Sequence, residues 1–317
     1  MTEIALTNLA AWSVQAALLT LVVALLARFL ATDLPAVRYA MWRAVLVAVI
    51  LLPFVQPWQP RFAAALDPGA LEPPPPAQPL SGGASWLAAM SVTVTPAPSR
   101  WPGIVVVVLT SGGLLRLGWL AAGLVRLRGV RRRGVPATES AAPEVLQALR
   151  DAGADVRYVA SMHQPVTFGL RRPVVLLPAA LQHMSAGVQE AVLTHELWHV
   201  RRSDWLWSLC EEGLRAMLWF HPAIWYLVAQ VQDAREEVVD QLSVRSTNAR
   251  RCYLEALLAF ADEPAVYPAS SFIRRRQLFH RMMLISKEGV MSPKRIVSSG
   301  LAIAGALVLT GWYGVQA

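Results

Sequence analysis

Residues 192–205 read VLTHELWHVRRSDW, and within them His195 and His199 bracket Glu196 in the pattern HExxH. Helical residues four apart share one face, with Cβ atoms ~6 Å apart. Two imidazoles so placed can tilt onto one ion at the ~2.0–2.1 Å that zinc requires. Glu196, beside the first histidine, points toward the same cavity and can take a proton from a metal-bound water. The chemistry predicted is metal-assisted hydrolysis. A purely structural zinc site needs no such base.

A catalytic zinc takes a third protein ligand and keeps one position open for water. The best source is DAREEVVDQLSV, residues 233–244. There Glu236 and Asp240 again stand at i and i+4, so a ligand carboxylate and a carboxylate orienting a ligand histidine would share one face. Glu237 competes in register, and a solvated face paired with Arg235 is the bland alternative. The residues alone leave these open.

The elements that must position these groups sit in an unusually apolar chain. Of 317 residues 55% are hydrophobic and 16% charged, and the mean hydropathy is +0.41. Residues 10–32 and 35–58 are apolar runs long enough to span a bilayer, and 101–125 is a third, with Arg116 inside it. Residues 59–100 contain EPPPPAQP and read as an extended connector. A last apolar run covers 296–315.

The net charge of +8 comes mainly from arginine and reflects membrane topology, not nucleic-acid binding. Arg28, Arg38 and Arg43 flank the first loop, and Arg126, Arg128, Arg131, Arg132 and Arg133 follow the third run. By the excess of cations on cytoplasmic segments, the N-terminus and proline-rich loop lie outside and residues 126–295 inside. Lys287, Lys294 and Arg295 precede the last span. The expected organisation is three spans in 1–125 with the external loop 59–100, a cytoplasmic metallopeptidase domain 126–295, and a C-terminal span in 296–317.

Within that domain, residues 155–161, 165–170 and 173–178 are β-branched and bounded by Pro or Gly, and predict three strands of a small sheet. Helical patterning begins at Ser185. Residues 205–230 are rich in aromatics and interrupted by Glu211, Glu212, Arg215 and Pro222. They predict two helices lying against or partly in the membrane interface. Cys210 and Cys252 form no CxxC pair and read as reduced thiols. His163, His183 and His280 read as surface or packing residues. Asp204 is expected to fix the end of the HExxH helix through Arg201 or Arg202. Tyr226, Tyr253 and His221 are the candidate transition-state stabilisers.

Several stretches together resemble the BlaR/MecR-type integral-membrane metallopeptidases, metallopeptidase family 56. They are PAVRYAMWRAVLVAVILLP, VTFGLRRPVVLLPAAL, HELWHVRRSDW, WFHPAIWYL and REEVVDQ. The last usually reads E-x-x-C-D in that family, and Val239 stands in place of the cysteine. The glutamate four before Asp240 is Glu236, so the resemblance selects it over Glu237. It implies a gluzincin-like α+β zinc-peptidase domain held by transmembrane helices in a mainly α membrane protein, with His195, His199 and Glu236 holding Zn2+ and Asp240 behind them. Sensor members continue into an extracellular penicillin-binding domain. This sequence stops at Ala317, so the resemblance does not extend to beta-lactam sensing.

The expected activity is a zinc endopeptidase of the bacterial cytoplasmic membrane, its site facing the cytoplasm, acting in envelope-stress or antibiotic-response signalling. Its partners are a repressor-like cytoplasmic protein or the chain itself, and membrane lipid, with no direct nucleic-acid contact and a homodimer left open. Residues 262–273, DEPAVYPASSFI, reach ~40 Å when extended and offer a tether for self-cleavage. The alternatives are an HtpX-like quality-control protease and, from another class, a non-catalytic receptor or scaffold with structural zinc.

Overall fold

The computed structural model describes residues 2–30, 34–55, 100–247, 250–259, 281–283, 285 and 305. The proline-rich connector, the tether 262–273 and nearly all of the last apolar run lie outside the described residues. Three long apolar helices come first: α1 (Thr2–Leu30), α2 (Pro35–Val55) and α3 (Trp101–Arg133). Each is long and apolar enough to cross a membrane. At 33 residues α3 is about 50 Å long. It exceeds the ~30 Å hydrocarbon core and carries Arg131, Arg132 and Arg133 in its last turn.

A four-stranded sheet follows, in the order β1-β2-β4-β3. The predicted strands appear as β2 (Asp155–Val159), β3 (Val166–Phe168) and β4 (Val174–Pro178). The short β1 (Val135–Pro136), too brief to carry a period, was not anticipated. β2 and β4 run parallel, while β1 and β3 add antiparallel at the two edges. Every residue of β4 is buried, as a central strand covered on both faces requires. Gly169 ends β3 with φ at 107°, where a Cβ would lie 2.5 Å from the Arg172 carbonyl oxygen. Only glycine makes that turn without strain.

Five more α-helices follow among the described residues: α4 (Pro143–Asp151), α5 (Ala186–Arg202), α6 (Asp204–Met217), α7 (Pro222–Thr247) and α8 (Arg250–Ala259). α5 buries Val188, Ala191, Val192, Leu193 and Leu197 in one core with sheet residues Val175 and Leu177, with Leu146 and Leu149 of α4, and with Tyr253 of α8. A second core joins α1, α2 and α7 through Leu19, Trp42, Val45, Val49, Ile224, Leu227 and Val231. The two helices expected in 205–230 are present as α6 and the start of α7. Pro222 opens α7, where its missing N–H costs nothing. That helix then continues unbroken, so the His-Pro segment and the DAREEVVDQLSV segment share one rod.

Candidate metal centre

α5 carries His195, Glu196 and His199, and α7 packs against it bearing Glu236. The two Nε2 atoms are 3.1 Å apart. Glu236 lies 3.6 Å from His195 Nε2 through one oxygen and 3.6 Å from His199 Nε2 through the other. Donors each ~2.0–2.1 Å from a tetrahedral ion are about 3.4 Å apart, so these edges fit one small dication. Among the described residues these three form the one group of metal-binding type.

The outer nitrogens of both imidazoles are held as well. His199 Nδ1 lies 3.0 Å from Asp204 Oδ2, and Asp204 also accepts from Arg202 Nε at 3.2 Å. His195 Nδ1 is 2.8 Å from the Tyr253 hydroxyl, which donates to Asp240 Oδ1 at 2.5 Å. With each Nε2 free to face the cluster, each Nδ1 carries the proton and donates outward. Arg281 closes the group, donating to both oxygens of Asp240 at 2.6 and 2.7 Å and lying 3.6 Å from Glu236.

Burial disfavours the charged form of His199, but Glu236, Asp204 and Glu196 outweigh it and raise the imidazole to about 9. Burial likewise opposes charge on Glu236, yet His199, His195 and Arg281 hold it well below the usual carboxylate range. The cluster without metal is thus an imidazolium against a carboxylate, and an entering dication must displace that proton. Burial, and then the Asp240 carboxylate, push the Tyr253 phenol well above its ordinary value, so it stays a hydrogen-bond donor.

Glu196 is buried and accepts a hydrogen bond from Thr167 Oγ1 on β3 at 2.5 Å. Thr167 pairs with Val175 of β4, and β3 is an edge of the sheet. One strand therefore fixes the carboxylate next to the metal cluster and leaves a backbone edge beside it.

The adjacent glutamates of α7 are separated by rotation. Successive helical residues point ~100° apart, so when Glu236 faces the histidines Glu237 faces α2. There both its oxygens accept from Arg38 Nη1 at 2.8 Å. Asp240 is near His195, but the contact runs mainly through Tyr253. The three suggested transition-state stabilisers sit elsewhere or act otherwise. Tyr226 packs edge-on against Trp42 with centroids 5.8 Å apart, ten residues before Glu236 on α7, about 15 Å away. His221 binds the Ser13 carbonyl through Nε2 at 3.2 Å. Tyr253 is spent on His195 and Asp240. Sequence reasoning missed Thr167, Arg281 and the histidine contact of Asp204. Only Asp204 left a local signal, as an acid five residues after a ligand-type histidine.

The decisive comparison is with the family described as BlaR1 peptidase M56, which matches residues 7–285. The chain belongs to this family. It is 36% identical over 101 residues to the regulatory protein BlaR1 of Bacillus licheniformis, covering 31% of this chain and 17% of that protein. It is 24% identical over 94 residues to the methicillin resistance mecR1 protein of Staphylococcus aureus, covering 29% of this chain and 16% of that one. The mecR1 protein of Staphylococcus epidermidis gives the same figures. The matched stretches span only about a sixth of these relatives' length. An M56 peptidase whose helices can cross a membrane and whose histidines and glutamate can hold a metal is the common ground of fold, site and family.

Proposed function

We propose that the chain is a zinc-dependent endopeptidase of the bacterial cytoplasmic membrane, of the gluzincin type. The observation that carries this reading is the cluster itself, with His195, His199 and Glu236 grouped and Glu196 buried beside them. A zinc ion held there would supply a Lewis acid and a water acidified toward neutral pH. Glu196 takes the proton of the attacking water and returns it to the leaving amine. The Thr167 hydroxyl holds Glu196 in place. Asp204 and the Tyr253–Asp240 pair fix the two imidazoles so that no ligand must reorient during the reaction. An extended substrate pairs its backbone with β3, which lies at the sheet edge.

The site faces the cytoplasm in this reading. Support comes from the arginines: Arg38, at the cation-rich start of α2, pairs with the residue next to Glu236. Kinship with a regulatory protein and with methicillin resistance proteins favours signalling, by cutting a cytoplasmic regulator or the chain's own segment 262–273. Membership of the M56 family favours this over an HtpX-like role, and an intact Glu196 favours it over a structural zinc scaffold. The test is to compare new protein N-termini in cells making wild type and Glu196→Gln. Wild type should yield termini, in residues 262–276 or in a cytoplasmic protein, that the variant lacks. Identical sets from both would overturn the reading.

A further inference from the structure

The α6–α7 corner makes its contacts at the wrong depth for a surface feature. Trp219 Nε1 donates to the Leu109 carbonyl of α3 at 3.1 Å. Its ring fills the notch at Gly112, where a Cβ would lie 2.3 Å from the indole. His221 reaches the Ser13 carbonyl of α1 and tilts against Trp12, centroids 5.1 Å apart. Trp12 in turn donates to the Val49 carbonyl of α2 at 2.9 Å. Each partner on α1, α2 and α3 lies inside a run apolar enough to span a bilayer.

Four rulers give the depth, each starting from an arginine or ion pair at the end of α1–α3 nearer the metal cluster. Fifteen residues separate Ser13 from Arg28, eleven separate Val49 from Arg38, seventeen separate Leu109 from Arg126, and sixteen separate His221 from Glu237. At 1.5 Å per residue these are about 22, 17, 25 and 24 Å. The hydrocarbon core is ~30 Å thick, so by these lengths the corner lies beyond its midplane and the chain then turns back.

Four of the charges that disqualify α6 and α7 as spans by composition, Glu211, Glu212, Arg215 and Arg235, are paired with one another. Arg235 is bound to Glu211 and donates to Ser208 Oγ at 2.6 Å. Arg215 pairs with Glu212 at 2.9 Å, and Gln232 donates to the same carboxylate at 3.0 Å. Arg116, the odd cation of α3, lies over the Trp225 ring at 4.9 Å. The outward side of α6 shows Leu206, Trp207 and Met217, the last 66% exposed, and Cys210 is exposed there too. Internal pairing with an apolar outer face is what a bilayer demands.

We propose that α6–α7 is a re-entrant hairpin whose outer face contacts bilayer hydrocarbon, entering and leaving at the surface where α2 begins. The metal cluster, adjoining the Arg38–Glu237 pair, then lies at that membrane surface. Resting on the peptidase reading above, this makes chain segments lying along the membrane the substrate class. The test reads depth without reading cleavage, so it fails or succeeds independently of the peptidase assignment. The full chain is reconstituted in phosphatidylglycerol-containing vesicles with a spin label on native Cys210 in a Cys252→Ser background. A second label sits on Met217→Cys in a background lacking both native cysteines. Labels on Leu114→Cys of α3 and Leu170→Cys of the β3–β4 turn serve as references. Collision with oxygen should exceed collision with a polar nickel chelate for Met217 as for Leu114, with Cys210 intermediate and Leu170 reversed. Chelate access at Cys210 and Met217 equal to that at Leu170 would overturn the proposal.

Discussion

Alanine at position 236 will leave the purified protein with little bound zinc, whereas alanine at 237 will leave about one ion per chain and lower the unfolding temperature. Glu236 supplies the only carboxylate of the metal group, and a catalytic zinc reduced to two protein ligands loses most of its affinity. Glu237 is buried against Arg38 on the side of α7 that faces α2. Removing it strips a partly buried guanidinium of that partner and costs on the order of 3 kcal/mol, without touching the histidines. Metal analysis and thermal melting of the two variants separate the roles. Zinc lost from the 237 variant and kept by the 236 variant would mean that α7 is rotated from the orientation described.

Glutamine at position 196 should lower peptide cleavage by about 10²–10⁴-fold while zinc content and stability stay at wild-type levels. The amide keeps an oxygen to accept from Thr167, so the contact to β3 survives, but it takes no proton at neutral pH. Turnover of an internally quenched peptide by detergent-purified protein measures the loss. Cleavage within a few-fold of wild type would show that another group moves the proton.

The features that were legible are those with a local period. HExxH is one helical turn, so its shared face follows from spacing alone. The strands 155–159, 166–168 and 174–178 announced themselves through β-branched runs ended by Pro and Gly. Choosing between Glu236 and Glu237 needed the rotation of α7 about its axis, which its packing on α2 sets through Leu227, Val228 and Val231. No polar pattern around two adjacent acids carries that information, and the choice rested on resemblance. The residues behind the ligands come from far along the chain. Arg281 is 41 residues from Asp240, and Tyr253 is 58 from His195. Tyr226 lies near the N-terminal end of α7, about 15 Å along the helix from Glu236, and His221, just before that helix, packs on α1; the spacing of neither residue in the sequence carries that placement. The depth of α6–α7 was hidden for a related reason, because Arg215, Glu212, Arg235 and Glu211 look solvated until their partners are seen.

In the reading proposed above, His195, His199 and Glu236 form an open, catalytic zinc site. Zinc K-edge X-ray absorption on the intact, detergent-solubilised protein addresses it most directly. The expected spectrum shows one zinc per chain with two imidazole nitrogens at ~2.0–2.1 Å, oxygen from a carboxylate and from water, and no sulfur. A sulfur scatterer at ~2.3 Å, which only a cysteine or methionine could supply, or a shell closed by four protein ligands, would contradict it.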